Sequence, residues 1–345
     1  MFQRKPKRMS NNSRATKSNP FAKFVTSPAG RAFIALLLVF IVGSVFNADG
    51  AFFKVGTHRD ALRQASVYGI LACGLTLVII SGGIDLAVGS VLALVAVCAA
   101  KMAIHWSWSG WLVVPASLLV GCASGGLAGF VTARLRVQPF IATLSLMVLA
   151  RGVAKYVSGG MKVSTAVRNA SGGYDYVDVP ALFRAVDARI LGGNLSMVTV
   201  IFFVCVVLAW LALAKHSWGR HLYAIGGNEE ASRLSGVPVV WAKMCAYAAS
   251  GILAGVAGIC QAAQEQQGDP EAGVGYELIA IAMVVIGGTS LSGGRGGMGL
   301  TLLGVLTIGY LDKILSINAV PEAGRLMLTG VIIVAAVLTQ RRKQT

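Results

Sequence analysis

Charge is what this chain has least of. Only 13% of its 345 residues are Asp, Glu, Lys or Arg, and just 14 of those are acidic, where a soluble domain is roughly a quarter charged. So sparse a set cannot cover a water-facing globule, which argues against a soluble enzyme. Histidine is equally scarce: His58, His105, His216 and His221 are scattered, with neither zinc-ligand spacing nor a catalytic pattern. No Gly-Lys dipeptide occurs, so no P-loop cradles a nucleotide on this chain. The six cysteines, Cys73, Cys98, Cys122, Cys205, Cys245 and Cys260, fall inside apolar stretches without C-x-x-C spacing. They read as small packing residues and imply no disulfide or metal framework.

What is abundant is apolar surface. Hydrophobic residues make up 55% of the chain, glycine contributes 42 positions, and mean hydropathy is +0.70. Apolar runs occupy residues 32–46, 61–80, 86–104, 111–133, 140–157, 195–214, 242–263, 276–291, 298–315 and 324–339. About twenty residues span the roughly 30 Å of bilayer hydrocarbon as a helix, and lipid offers backbone groups no partner, so helices or half-helices are required. The predicted fold class is therefore all-α: a polytopic integral membrane protein of about ten transmembrane helices, including discontinuous or re-entrant segments. Trp106, Trp108 and Trp111 cluster between the third and fourth runs, where an interfacial aromatic belt belongs.

The net charge of +16 is a topology signal and not a nucleic-acid one, because the basic residues mark the ends of apolar runs. Eight basic and no acidic residues precede the first run. A cleaved signal peptide is the competing reading, but the basic region is long for one and no clear small-x-small site follows Phe46. With an inside N-terminus, 18 of the 30 basic residues fall inside, while only Asp85, Glu229 and Glu230 of the acids do. Cytoplasmic loops are enriched in Lys and Arg, so both termini are expected in the cytoplasm. The expected organisation is a basic tail over 1–31, a transmembrane domain over 32–340 and a basic end over 341–345. Within it lie an outer loop at 158–194 with little predictable structure and an inner loop at 215–241.

Two segments break otherwise continuous runs. Thr76 to Ser90 reads T-L-V-I-I-S-G-G-I-D-L-A-V-G-S, and Val285 to Gly297 reads V-I-G-G-T-S-L-S-G-G-R-G-G. Glycine-interrupted segments in two parts of a transporter point to the solute pathway, although glycines also serve close helix packing, the preferred reading for Gly251, Gly255 and Gly258. The candidate path residues are Ser81, Gly82, Gly83, Asp85, Gly89, Ser90, Gly287, Gly288, Thr289 and Ser290. Ser81, Thr289 and Ser290 would bind a hydroxylated solute weakly enough to release it. Asp85 either lines the path, as intramembrane carboxylates often do, or caps the following helix. Glu277 and Asp312, near run ends, are expected to be solvated or snorkelling. In the inner loop, Asn228 can cap a short helix through Ala231, Ser232 and Leu234 that Gly236 ends, a shape suited to a partner's groove or to lying on lipid headgroups.

Together, G-L-T-L-V-I-I-S-G-G-I-D-L-A-V-G-S (Gly74 to Ser90), Q-P-F-I-A-T-L-S-L-M-V-L-A-R-G (Gln138 to Gly152), G-R-H-L-Y-A-I-G-G-N-E-E-A-S-R-L-S-G-V (Gly219 to Val237) and G-Y-E-L-I-A-I-A-M-V-V-I-G-G-T-S-L-S-G-G-R-G (Gly275 to Gly296) resemble the permease subunits of ribose-type ABC importers, in order and spacing over about 61–337. The resemblance implies a bacterial inner-membrane subunit that forms the path for a monosaccharide or similar polyol and carries no ATPase site or cofactor itself. ATP-Mg would sit on a partner ABC ATPase, a periplasmic sugar-binding protein would deliver the solute, and a second permease copy or paralogue would complete the channel in membrane lipid, with no nucleic acid involved. It also implies an ATPase coupling loop comprising Gly226, Gly227, Asn228, Glu229, Ala231, Arg233, Leu234, Gly236 and Val237. Asp312, where such permeases commonly carry Asn, is the clearest departure. The rival class is an ion-coupled secondary transporter working alone, which needs a relay of paired intramembrane charges, and Asp85 has no evident partner in the sequence.

Overall fold

The computed structural model describes residues 24–169 and 172–341. Most of the expected basic tail and the last four residues lie outside the described residues. Each of the ten apolar runs falls on a helix: α1 (Pro28–Val45), α2 (Val55–Ile80), α3 (Val88–Ala100), α4 (Gly110–Gly129), α5 (Pro139–Ser158), α7 (Met197–Ala214), α10 (Val239–Glu265), α11 (Tyr276–Gly287), α12 (Met298–Ile317) and α13 (Glu322–Arg341). The others are α6 (Ala181–Asp187), α8 (Ser217–Gly227) and α9 (Glu229–Leu234). Among the described residues, eight helices are long and apolar enough to cross a membrane, and α11 is a shorter apolar helix. Local signals set the starts. Ser27 Oγ accepts from Gly30 N at 3.0 Å with Pro28 at the first position of α1, and Pro139 opens α5; proline suits that position because its missing N–H would be orphaned anyway.

The centre of the bundle is α2 and α3, most of whose residues are buried, with α10 packed across both and along α4. The α4–α10 contact is made by glycines. A side chain on Gly251 would overlap the Gly121 carbonyl oxygen, and one on Gly125 the Tyr247 carbonyl oxygen. Where lipid gives no hydrophobic drive between helices, small residues let backbones approach and gain dispersion contacts. A buried hydroxyl pair, Thr76 Oγ1 and Thr301 Oγ1 at 2.6 Å, ties α2 to α12.

Two breaks shape the interior. After α2 the chain turns at 81–82 and runs without regular structure to 87 before α3 begins, and after α10 it runs through turns over 266–275 before α11. The second stretch passes along α3 from its far end to its first turn. Gly268 lies against Ala96 and Ala100, and Gly273 lies backbone to backbone against Gly89. Of the run expected over 276–291, only 276–287 is helical: α11 has 12 residues, roughly 18 Å of rise, and the turn-rich stretch at 266–275 leads into it.

The 158–194 loop also has more structure than expected. Ala166–Arg168 pairs antiparallel with Tyr174–Tyr176, and Arg189–Ile190 with Leu195–Ser196. Phe183 of α6 is fully buried, and ion pairs Arg63–Asp187 and Arg189–Asp60 fasten this cap to α2. The strands are two or three residues long, too short for an alternation pattern to register. Trp106, Trp108 and Trp111 are exposed between α3 and α4.

Gly251→Val should destabilise the α4–α10 pair by roughly 1–3 kcal/mol, as overpacked contacts do, whereas Gly126→Val, which meets nothing within 4 Å, should stay within about 0.5 kcal/mol. Thermal unfolding of the two variants in detergent checks this; equal midpoints would contradict it.

Candidate functional site

Asp85 sits in the 81–87 stretch, 3% exposed. One carboxylate oxygen accepts from Ala87 N at 3.0 Å, beside the start of α3, and the other accepts from Ser250 Oγ of α10 at 2.8 Å. That is capping geometry joined to an interhelical tether. The neighbouring Ile84 carbonyl accepts from Tyr247 Oη at 3.2 Å, and Thr143 Oγ1 reaches it at 3.4 Å. The 81–87 stretch is thus held by side chains of α10 and α5. Gly83 must be glycine-sized because Tyr247 Oη would lie 2.6 Å from a Cβ there.

Three glycine pairs distant in sequence meet at one point. Gly294 N donates to the Ile80 carbonyl at 2.9 Å, closing the open end of α2. A Cβ on Gly226 would overlap both that carbonyl oxygen and Gly294 N, and one on Gly293 would lie 3.0 Å from the Cα atoms of Gly226 and Gly82. Gly82, Gly293 and Gly294 all have left-handed φ, at 78°, 83° and 69°, a region that costs L side chains strain. The end of α8 is therefore wedged between the turn after α2 and the turn after α11. Tyr223 Oη of α8 adds a hydrogen bond to the Gly296 carbonyl at 3.0 Å.

From this wedge the chain turns into α9. Asn228 Oδ1 accepts from Ala231 N at 2.9 Å, and Gly236, φ 81°, follows the helix end, which matches the capped helix read from the sequence. Glu229 receives Lys243 Nζ of α10 at 2.5 Å and Arg233 Nη2 at 2.9 Å. Burial raises the Glu229 carboxyl, but these two cations outweigh it and hold it below the ordinary carboxylate range. Leu234, 82% exposed, Arg233, Ala231 and Gly227 project outward, leaving an apolar tip beside a fixed charge cluster.

Of the expected path residues, Gly82 joins the junction directly, while Gly83 packs against Tyr247 and Val78. Gly287 ends α11 with Gly288 in the left-handed conformation, φ 106°. Two of the three hydroxyls expected to face a solute, those of Ser81 and Thr289, are buried in protein instead. Ser81 Oγ donates to Val78 O at 2.7 Å because the last carbonyls of α2 need partners, Ser290 Oγ accepts from Ser292 N within its turn, and Thr289 is fully buried against Gly296. Ser90 is buried in α3, and Gly89 lies away from the junction, against Gly273 and the carboxylate of Glu277. Glu277 is half-buried, whereas Asp312 is solvent-exposed at its side chain, as expected, and also paired with Arg325 at 3.0 Å.

Arg151 was not foreseen. It reaches from α5 to donate to the Pro270 and Ala272 carbonyls, each at 2.6 Å, and so holds the 266–275 stretch against α3. A basic residue inside a predicted span, where cations are costly, was the available signal.

Ser250→Ala should lower stability by about 1–3 kcal/mol, since it removes a donor from a buried carboxylate, with Ser124→Ala on α4 as the neutral comparison; unchanged unfolding would show that Asp85 is not tethered. Because the Glu229 carboxyl is depressed in the folded protein, its stabilisation is present above the unfolded value, about 4.3, and is lost as pH falls through the lower folded value. An acid-unfolding profile should show that limb, and Glu229→Gln should remove it.

The chain was compared with known proteins. Residues 59–337 match the family model described as branched-chain amino acid transport system / permease component. The chain is 39% identical to the ribose import permease protein of Escherichia coli, with 91% of this chain and 94% of that protein covered. It is also 39% identical to the ribose import permease protein of Haemophilus influenzae, covering 89% and 91%. Identity to the L-arabinose transport system permease protein of Escherichia coli is 36%, covering 90% of each. No solved structure matches. A bundle of apolar helices broken at the glycine segments, matched along nearly its whole length by import permeases, places the chain in the family of ribose-type import permeases, to which it belongs.

Proposed function

We propose that this chain is the membrane-spanning permease subunit of an ATP-driven importer and forms the passage for a monosaccharide or similar small polyol. The family description names amino acids, but the relatives at 36–39% identity are named for ribose and L-arabinose, which favours a sugar. The chain acts by alternating access and performs no covalent chemistry. ATP-Mg belongs to a cytoplasmic ABC ATPase, a periplasmic binding protein delivers the solute, and a second permease copy or paralogue completes the channel. Both termini lie in the cytoplasm of a bacterium, with the 158–194 loop outside and the 215–241 loop inside, as the distribution of basic residues favours.

One observation carries this reading. The helix that offers an exposed Leu234 to a partner is joined, through Gly226, to the turns after α2 and α11. A push on α9 therefore bears on the two segments that interrupt the bundle. We assign Gly226, Gly227, Asn228, Glu229, Ala231, Arg233, Leu234, Gly236 and Val237 to the coupling surface, and the turns at 81–87 and 287–294 to the joint that moves the wall of the path.

In proteoliposomes holding the chain with its ATPase and binding protein, sugar uptake should require both partners and ATP. Leu234→Asp should leave the fold intact and reduce uptake roughly tenfold or more, the scale of a buried apolar anchor lost from an interface. Uptake by the chain alone, driven by an ion gradient, would overturn the reading in favour of a secondary transporter.

A further inference from the structure

A second polar feature lies away from the coupling surface. A crevice opens on the flank of the bundle between α2, α12 and α13, lined among others by Gln64, Tyr68, Asp312, Glu322, Arg325 and Thr329. Asp312 is 14 residues into α12, roughly 21 Å along it, and Gln64 is 16 residues above the end of α2, roughly 24 Å. These groups therefore share one level, in the half of the bundle opposite the glycine junction. Arg325 Nη1 donates to both carboxylate oxygens of Asp312, at 3.0 and 3.1 Å, while its buried Nε–H meets no acceptor. Gln64 and Glu322 are exposed.

Arg325 is unlike Arg151, which is spent on backbone carbonyls. The flank formed by α7 presents Val204, Val207 and Leu208 outward as lipid requires, whereas here exposed Leu326, Met327 and Val331 of α13 stand beside the polar groups. Two carboxylates, a guanidinium and an amide in one crevice are too costly for hydrocarbon, so the crevice itself opens to water, with Ile279, Met283, Ile308 and Leu326 as its apolar walls. The donor and acceptor set is specific. Carboxylate oxygens accept from adjacent hydroxyls, the guanidinium and amide donate to hydroxyl oxygens, and the Tyr68 ring offers an apolar face for C–H groups.

We propose that this crevice is a binding site for a monosaccharide on its way into the permease, in which hydroxyls take over the hydrogen bonds that Asp312 and Arg325 make to each other. The proposal rests on the sugar-import reading and adds a solute site on the permease itself, remote from the glycine turns.

The test uses the full chain in lipid nanodiscs, with Gln64→Cys or Thr329→Cys reacted with a charged, water-soluble thiol reagent and the native cysteines measured as background. Both cysteines should react, and D-ribose or L-arabinose should slow the reaction roughly threefold once its concentration is twice its dissociation constant, following 1 + [L]/Kd. Asp312→Ala should abolish that protection while leaving reactivity. Failure of both cysteines to react above background overturns the proposal, because the flank would then face lipid or protein. ATP-driven uptake by the complete assembly is measured separately. Uptake of a sugar that gives no protection overturns the crevice site alone, whereas protection without uptake supports the site and counts against the import reading.

Discussion

Hydrocarbon offers no hydrogen bonds, and a backbone carbonyl left unpaired there costs several kcal/mol. That constraint explains where this chain spends its few polar side chains. Wherever a helix breaks, a group from elsewhere in the sequence answers the exposed backbone: Gly294 N meets Ile80, Tyr247 meets Ile84, Arg151 meets Pro270 and Ala272, and Lys101 Nζ meets Val157 at 2.7 Å. Asp85 completes the set from the acceptor side, taking the Ala87 N–H and the Ser250 hydroxyl.

Because the breaks are pinned by partners on other helices, they are crossing points and not loose loops. The turn after α2, the turn after α11 and the end of α8 share one contact in which three of the glycines are left-handed. Nothing larger than hydrogen fits between Gly226 and the Ile80 carbonyl, so displacement of the docking helix cannot be absorbed by a flexible side chain. The same rigidity accounts for the buried hydroxyls of Ser81 and Thr289, which belong to the joint.

Much of this was readable from the sequence because lipid makes the rules simple. Ten apolar runs gave ten helices, and Asn228 and Gly236 marked the docking helix through their capping chemistry. The positions of the glycine breaks were also legible, since paired glycines and a carboxylate interrupt apolar sequence. What they touch was not. The meeting of Gly82, Gly226 and Gly293 depends on tertiary approach over more than a hundred residues, for which glycine carries no local signature. Helix α8 was hidden by its polar composition, and the course of 266–275 by its resemblance to an ordinary surface loop. Arg151 looked like one more residue of a motif until its two carbonyl partners were in place.

The central claim is that the docking helix and the two glycine turns move as one joint. Its most direct measurement is Gly226→Ala in the complete transporter, with thermal unfolding confirming a folded chain and ATP hydrolysis recorded beside sugar uptake. Sustained hydrolysis with uptake lost is the predicted result, since the ATPase would still dock on α9 while the displaced joint no longer transmits its motion. Wild-type uptake from a correctly folded Gly226→Ala transporter would contradict the claim.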